Sequence, residues 1–333
     1  MARKASNKHL RKADGSKKDE FYTQRTDIEN EVRHYKHLFK NKVVYCNCDD
    51  PRVSEFFHYF SYNFELLGLK KLIATCYKST NYDLFSTNDS EKAVYLEYCG
   101  DKNGNKVPDL KEIEIKKLKG DGDFRSNECI ELLKQADIVV TNPPFSLFRE
   151  YVSQLVEFDK KFLIIGNLNA ITYKEIFALI KNNKLWLGYS LDGRNIWFGI
   201  PDHYDKFHKI EDGKKYAFVA STVWFTNLDH TKLHQELILS KKYKGNEKLY
   251  PKFDNYNAIN VNKTVDIPMD YKGLMGVPIT FLNKYNPDQF EIVDALNRYS
   301  ILDGPTQETK GKYLAQVAGK PIYVRIIIKN KTL

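Results

Sequence analysis

The sequence predicts an α/β protein with a mainly parallel sheet, helices on both faces, and a second region of different organisation. Three observations carry this reading. Apolar, β-branched runs recur through the first 190 residues as near-continuous blocks, the pattern of strands buried on both faces. Stretches with helical spacing separate these runs, so most connections have the length of a crossover helix. Beyond about residue 190 the alternation gives way to short strands, many aromatics and turn residues.

In order along the chain, residues 19–39 read as a helix after a short DEFYT entry, and 42–48 (KVVYCNC) as a strand stopped by Asp49-Asp50-Pro51. Residues 54–67 have helical spacing, and 71–77 (KLIATCY) form a second buried strand. Residues 78–112 are polar and carry Asn103-Gly104, which marks an insertion with a hairpin. Then come a helix at 129–135, a strand at 137–141 (DIVVT), a helix at 147–158, a strand at 161–166, a helix at 173–181 and a short strand at 185–188. A closing strand is expected at 321–329 (PIYVRIIIK). No internal repeat is present.

The composition is 42% hydrophobic and 29% charged over 333 residues, enough for a sizeable core and a soluble chain. No run approaches the ~18 apolar residues of a membrane helix, and the first residues lack a signal-peptide apolar segment. Five cysteines, irregularly spaced, fit a reduced intracellular protein; Cys46-x-Cys48 has no partner pair for zinc, and no metal is expected. The net charge of +9 is uneven: residues 1–18 hold seven Lys or Arg against Asp14, leaving +3 for the rest. A basic arm of this kind, with little to bury, reads as disordered when free and suits a polyanion such as nucleic acid. The competing reading is a solvated tail.

The segment that carries chemistry is Asn142-Pro143-Pro144-Phe145, directly after an apolar strand, where open α/β sheets bind their ligands. An exocyclic aromatic amine is a poor nucleophile because its lone pair is delocalised. It becomes competent when two acceptors hold its hydrogens and favour a tetrahedral nitrogen. The Asn142 side-chain oxygen and the Pro143 carbonyl can be those acceptors. Neither proline has an N–H, and Phe145 offers a flat face to a base taken out of the helix. The alternative is a plain strand-ending turn with Phe145 in the core. Asp123 and Phe124, in GDGDF, could meet a cofactor's adenine ring, or form a turn. Thr23 and the backbone of DEFYTQ could meet a carboxylate, or Thr23 or Asp19 could cap a helix. Asp49 and Asp50 could meet a cofactor's ammonium, or make a strand-to-helix turn. Phe198 and Trp224 are candidates to cover the other face of the target base; for each, core packing is the competing reading.

These segments, in this order, resemble the EcoRI-type adenine-N6 DNA modification methyltransferases. The resemblance runs from MARKASNK through DEFYTQ, VVYCNCDDPRVS, GDGDFRS, DIVVTNPPFSLF, KKFLII, YPKFDNYNAINVNKT and GVPITFL to RIIIKNK, nearly the whole chain. It is weaker in 78–112, 190–240 and 290–320. It implies the S-adenosylmethionine-dependent methyltransferase sheet plus a DNA-recognition region. Asn142, Pro143, Pro144 and Phe145 fall on the family's catalytic tetrapeptide, Tyr22 and Thr23 on its N-terminal cofactor motif, and Asp123 with Phe124 on its cofactor-adenine motif. Phe148 is expected to line the same pocket. The chain departs from the usual pattern after its first strand, where NCDDPRVS has no glycine, and after its second, which lacks the acid expected for the ribose. The resemblance further implies a monomer acting on double-stranded DNA by base flipping, within a restriction-modification system, in a bacterial cytoplasm or encoded by a phage. The implied site is GAATTC. The expected division is a basic arm (1–18), a cofactor-binding and catalytic core (19–190), last core strands with a recognition region (191–290) and a C-terminal extension (291–333). Two other readings stay open on the residues alone: an amino-methyltransferase acting on RNA or a protein amide, which would use the same turn, and a non-catalytic DNA-binding module.

Overall fold

A computed structural model describes residues 21–48, 54–75, 93–105, 107–109, 111–191, 193–200, 202, 204–205, 207–296 and 315–333. The basic arm, Asp49 and Asp50 lie outside the described residues. The chain forms two compact units, one within Met1–Leu168 and Gly188–Leu228, the other within Asn169–Leu187 and Asp229–Leu333.

The first unit is built on one large sheet. Strands β1 (Val43–Cys46), β2 (Lys71–Thr75), β5 (Ile138–Thr141) and β6 (Lys161–Asn167) form its parallel centre in the order β2-β1-β5-β6. Every residue of β1 and β5 is buried, as the unbroken apolar runs require. Antiparallel strands flank this centre. On one side lie β3 (Val94–Tyr98) and β4 (Ile113–Lys117); on the other lies the long β9 (Lys214–Thr226), which pairs with β6, β7 (Arg194–Ile200) and β8 (Lys209–Glu211). The polar stretch 78–112 thus ends in a hairpin arm, as its Asn-Gly suggests, but that hairpin extends the sheet. Its outer strand IEIKK is half exposed and charged, which blunts an edge.

The helices follow their apolar stripes. Helix α4 (Asn127–Gln135) is capped by Ser126, whose side chain accepts from the Cys129 N–H, and α5 (Phe148–Glu157) buries Phe148, Tyr151, Val152 and Leu155. Two helices are shorter than the spacing predicts. The 54–67 segment splits into α2 (Glu55–Tyr62) and α3 (Phe64–Leu67) at Asn63, whose side-chain amide donates to the Tyr59 carbonyl four residues back at 2.8 Å. The 19–39 segment holds α1 (Arg25–Val32), followed by a 3-10 turn at Lys36–Leu38. Its stripe of Ile28, Val32, Tyr35 and Phe39 is fully buried throughout. Periodicity therefore marks which face is buried, not where the α-type hydrogen bonding stops.

The second unit has a four-stranded sheet of β10 (Ile259–Asn260), β11 (Met275–Pro278), β15 (Arg325–Asn330) and β12 (Phe290–Leu296), in that order. A short pair, β13 (Gln316–Val317) and β14 (Lys320–Pro321), is separate from it. The closing strand begins at Arg325, four residues later than the sequence suggests. Helix α6 (Lys174–Lys181), placed by sequence with the first sheet, belongs to this unit; it buries Ile176, Phe177 and Ile180. Among the described residues no helix is long and apolar enough to cross a membrane.

Candidate active site

The carboxyl ends of the parallel strands are tied together by buried polar groups. Asn47 follows β1 and is almost wholly buried. Its backbone carbonyl accepts from the Thr141 hydroxyl at the end of β5, and its side-chain oxygen accepts from the Tyr151 hydroxyl on α5. The end of β2 joins the same layer, where the Tyr45 and Thr75 hydroxyls are 2.8 Å apart. This lattice fixes the point at which the chain leaves β5 and enters Asn142-Pro143-Pro144-Phe145.

Asn142 is buried, and its Nδ2 donates to the Phe21 backbone carbonyl at 2.5 Å. A carbonyl only accepts, so this partner decides which way the amide points. The Asn142 Oδ1 is then left buried with no hydrogen-bond partner in the protein. A buried acceptor without a donor carries a desolvation cost of about 1–3 kcal/mol. A donor arriving from a ligand removes that cost.

Phe21 is held there by its neighbour. Tyr22 and Gly199 on β7 exchange both backbone hydrogen bonds, at 2.7 and 2.9 Å. Thr23 is next, buried, and its Oγ1 also has no partner. The helix-cap reading of Thr23 does not hold: the residue capping α1 is Gln24, and no side chain caps that end. Two partnerless buried oxygens, on Thr23 and Asn142, thus lie on segments joined through Phe21.

Phe145 is half-buried and lies near-parallel to the Phe21 ring, with centroids 5.8 Å apart and planes at 22°. Phe198 is fully buried and stands edge-on to both, at 61° to Phe21 and 82° to Phe145. Phe198 is therefore brought to the tetrapeptide, but with its faces covered. Trp224 is not brought there. It is fully buried on β9, edge-on to Phe56 of α2, which is the core-packing alternative. Phe148 is also core: its ring lies against Phe225 and fills the space a side chain at Gly166 would need, 2.6 Å from that position.

Asp123 and Phe124 lie in the turn before α4. Arg125 donates to both Asp123 carboxylate oxygens, from Nε at 2.9 Å and Nη2 at 2.7 Å, and also reaches Glu150 at 3.0 Å. The guanidinium holds the Asp123 carboxyl below its ordinary range. Asp123 is thus charged and oriented; its Oδ1 also accepts from the Arg125 backbone N–H, and its Oδ2 keeps a lone pair for a further donor. Phe124 is buried, edge-on to Tyr151 at 5.0 Å. Among the described residues no group of three or more His, Cys, Asp or Glu could hold a metal ion.

Sequence reasoning missed Asn47 and Phe21. Asn47 was visible as a polar residue closing an apolar strand. Phe21 gave no signal, because its part here is played by a main-chain carbonyl.

Comparison with known proteins supplies a family. The family model described as "Adenine-specific methyltransferase EcoRI" matches residues 9–331. Type II methyltransferase M.EcoRI of Escherichia coli is 53% identical over 100% of this chain and 99% of its own. Type II methyltransferase M.MgeORF184P of Mycoplasma genitalium is 44% identical over 98% of this chain and 99% of its own. Type II methyltransferase M.MpnI of Mycoplasma pneumoniae is 40% identical over 97% and 98%. With its parallel-centred sheet and an Asn-Pro-Pro-Phe turn at the end of β5, this chain belongs to the EcoRI adenine-specific methyltransferase family.

Proposed function

We propose that this protein methylates the N6 amine of adenine in double-stranded DNA at one specific sequence, as the modification enzyme of a restriction-modification system, with S-adenosylmethionine as methyl donor. The observation that carries the reading is the Asn142 side-chain oxygen, buried, partnerless and oriented by the Phe21 carbonyl at the end of β5. It offers an acceptor where an extruded adenine would bring its amine. The Pro143 carbonyl is the second acceptor. Holding both N6 hydrogens returns the lone pair to nitrogen, and Phe145 stacks the base while it is held.

S-adenosylmethionine, when bound, supplies a methyl group on a sulfonium, an electrophile strong enough that no base need act on the amine first. Thr23 fits such a ligand, since its partnerless hydroxyl can meet the amino-acid end; Tyr22 flanks it. Asp123 can accept from the ligand's adenine amine and Phe124 can border the ring. Asp49 and Asp50 stay candidates for the ammonium on sequence grounds. The protein's own contribution is position and fixed dipoles rather than proton transfer. The enzyme acts as a monomer on this reading.

The test is direct. Purified protein is given S-adenosylmethionine labelled on its methyl group, with duplex DNA, RNA or protein. Plasmid from a methylation-free host expressing it is sequenced for N6-methyladenine. Label in DNA, and modified adenine at a single motif, GAATTC in the first instance, are expected. Label only in RNA or protein would overturn the DNA reading, and no label in any would leave a binding module.

A further inference from the structure

We propose that Phe21, not Phe198 or Trp224, is the second aromatic of the target-base site, and that the adenine is held between the rings of Phe21 and Phe145. This rests on the adenine-methylation reading above. A planar guest is faced on both sides only by rings that are themselves near-parallel. Of the three phenylalanines at the tetrapeptide, only the Phe21–Phe145 pair meets that condition, with planes at 22°; Phe198 stands at 61° and 82° to them. Burial separates them in the same way. Phe198 is fully buried and Trp224 lies in the core beside Phe56, so neither has a free face. Phe21 and Phe145 are half-buried.

Distance is consistent with a slot that is closed without its guest. Two stacked layers at about 3.5 Å each put the flanking rings roughly 7 Å apart. The centroids are 5.8 Å apart, short of that spacing, so the two rings must part before a base enters between them. That adjustment falls on an extended segment just before α1, tied to β7 by the Tyr22–Gly199 pair. Phe198 then forms the floor against which both rings rest edge-on.

The same residue addresses the amine. The Phe21 carbonyl accepts from Asn142 Nδ2 and so fixes the amide with Oδ1 left for a donor. Ring and carbonyl of one residue thus serve one base, the first covering its face and the second orienting the acceptor for its N6 hydrogens. A base seated in the slot stabilises the Phe21 segment in the position that keeps Asn142 correctly turned.

The experiment compares Phe21→Leu, which keeps apolar bulk without a ring, with Phe21→Tyr, which keeps the ring. Each full-length variant is checked for thermal midpoint and S-adenosylmethionine affinity. Each is then assayed for kcat and KM on duplex DNA, and for fluorescence of 2-aminopurine placed at the target adenine. Phe21→Leu is expected to match wild type in midpoint and cofactor affinity and to lose on the order of tenfold or more in kcat/KM on DNA. Its bound 2-aminopurine should be brighter than in wild type, because one quenching ring is gone. Phe21→Tyr should recover most of the rate and the wild-type fluorescence. Should Phe21→Leu fail to fold, Phe21→Met gives the same comparison. Wild-type kcat/KM and fluorescence in Phe21→Leu, or equal losses in the Leu and Tyr variants, would overturn the assignment. Either result leaves the adenine reading standing as long as wild type methylates adenine; a wild type that methylates no DNA defeats that reading itself.

Discussion

At the scale of single residues, the proposed chemistry rests on two buried oxygens, Thr23 Oγ1 and Asn142 Oδ1, that the fold leaves without a partner. On the proposed reading Asn142→Ala removes one of two acceptors for the amine, and in the protein it removes one hydrogen bond, to Phe21. The expected loss in kcat is on the order of 10²-fold, as for other preorganised polar groups, with cofactor affinity unchanged. Steady-state turnover with a parallel binding titration checks this; near-normal turnover would show that Oδ1 has no part in the step. Thr23→Val separates ligand binding from structure by sign. A partnerless buried hydroxyl costs stability, so replacing it with a methyl should leave the melting point equal or higher. If Oγ1 meets the cofactor, affinity should fall in the same protein. Calorimetry showing intact affinity would return Thr23 to a packing role. The position of Asn142 and Phe145 at a strand end was legible in sequence, because an apolar run broken by Asn-Pro-Pro marks where the strand stops. Phe21 was not, because its carbonyl matters and every residue has one. Trp224 and Phe148 lie in the core, one on a strand and one on a helix, because which face an aromatic takes is set by the register and packing of the folded sheet, not by its type.

Buried polar groups hold elements to one another, and one of them is Glu31 on α1. It is fully buried and accepts from the Tyr35 hydroxyl at 2.8 Å, the Tyr189 N–H at 2.6 Å and the Ser190 N–H at 2.7 Å. It thereby fixes the segment leading into β7, the strand that pins Tyr22. Gly188 is required beside it, since a side chain there would stand 2.4 Å from the Glu31 carboxylate and 2.5 Å from Trp224. Burial pushes the Glu31 carboxyl above its ordinary 4.5, against the opposing hydrogen bonds of Ser190, Tyr189 and Tyr35. A folded-state value raised above the unfolded one means a contribution fully present below about 4.5 and lost as pH rises through the folded value. Glu31→Gln has no such titration, and its amide turns an N–H toward donors, costing about 1–3 kcal/mol. Urea midpoints of the two proteins should therefore converge as pH rises from 4.5; a constant gap would refute the shift. The parallel strands were legible because unbroken apolar runs have one common explanation, burial on both faces. The limits of α1, and the break between α2 and α3, were not. Asn63 interrupts hydrogen bonding without interrupting the apolar stripe that periodicity detects.

For the whole molecule, the uneven charge gives the sharpest test. Residues 1–18 carry +6 of the net +9 and have almost nothing to bury, while the remaining residues are only mildly positive. Such a segment can lie along phosphates and release counterions without reading base edges. Deleting it should weaken binding to cognate and non-cognate duplexes by similar factors. The slope of log affinity against log salt should become shallower by about 0.9 for each phosphate the shortened protein no longer neutralises. The methylated sequence should stay the same, because base-edge recognition belongs on this reading to the region beyond residue 190. The base holding proposed for Phe145 and Asn142 should also be untouched, so kcat at saturating DNA should persist while KM rises. The opposing account is that the arm enters a groove, as some basic arms do; it predicts a loss confined to the cognate duplex and an altered motif. Titrations of full-length and truncated protein on both duplexes at several salt concentrations separate the two accounts, and an unchanged salt slope after truncation would remove the arm from the phosphates altogether.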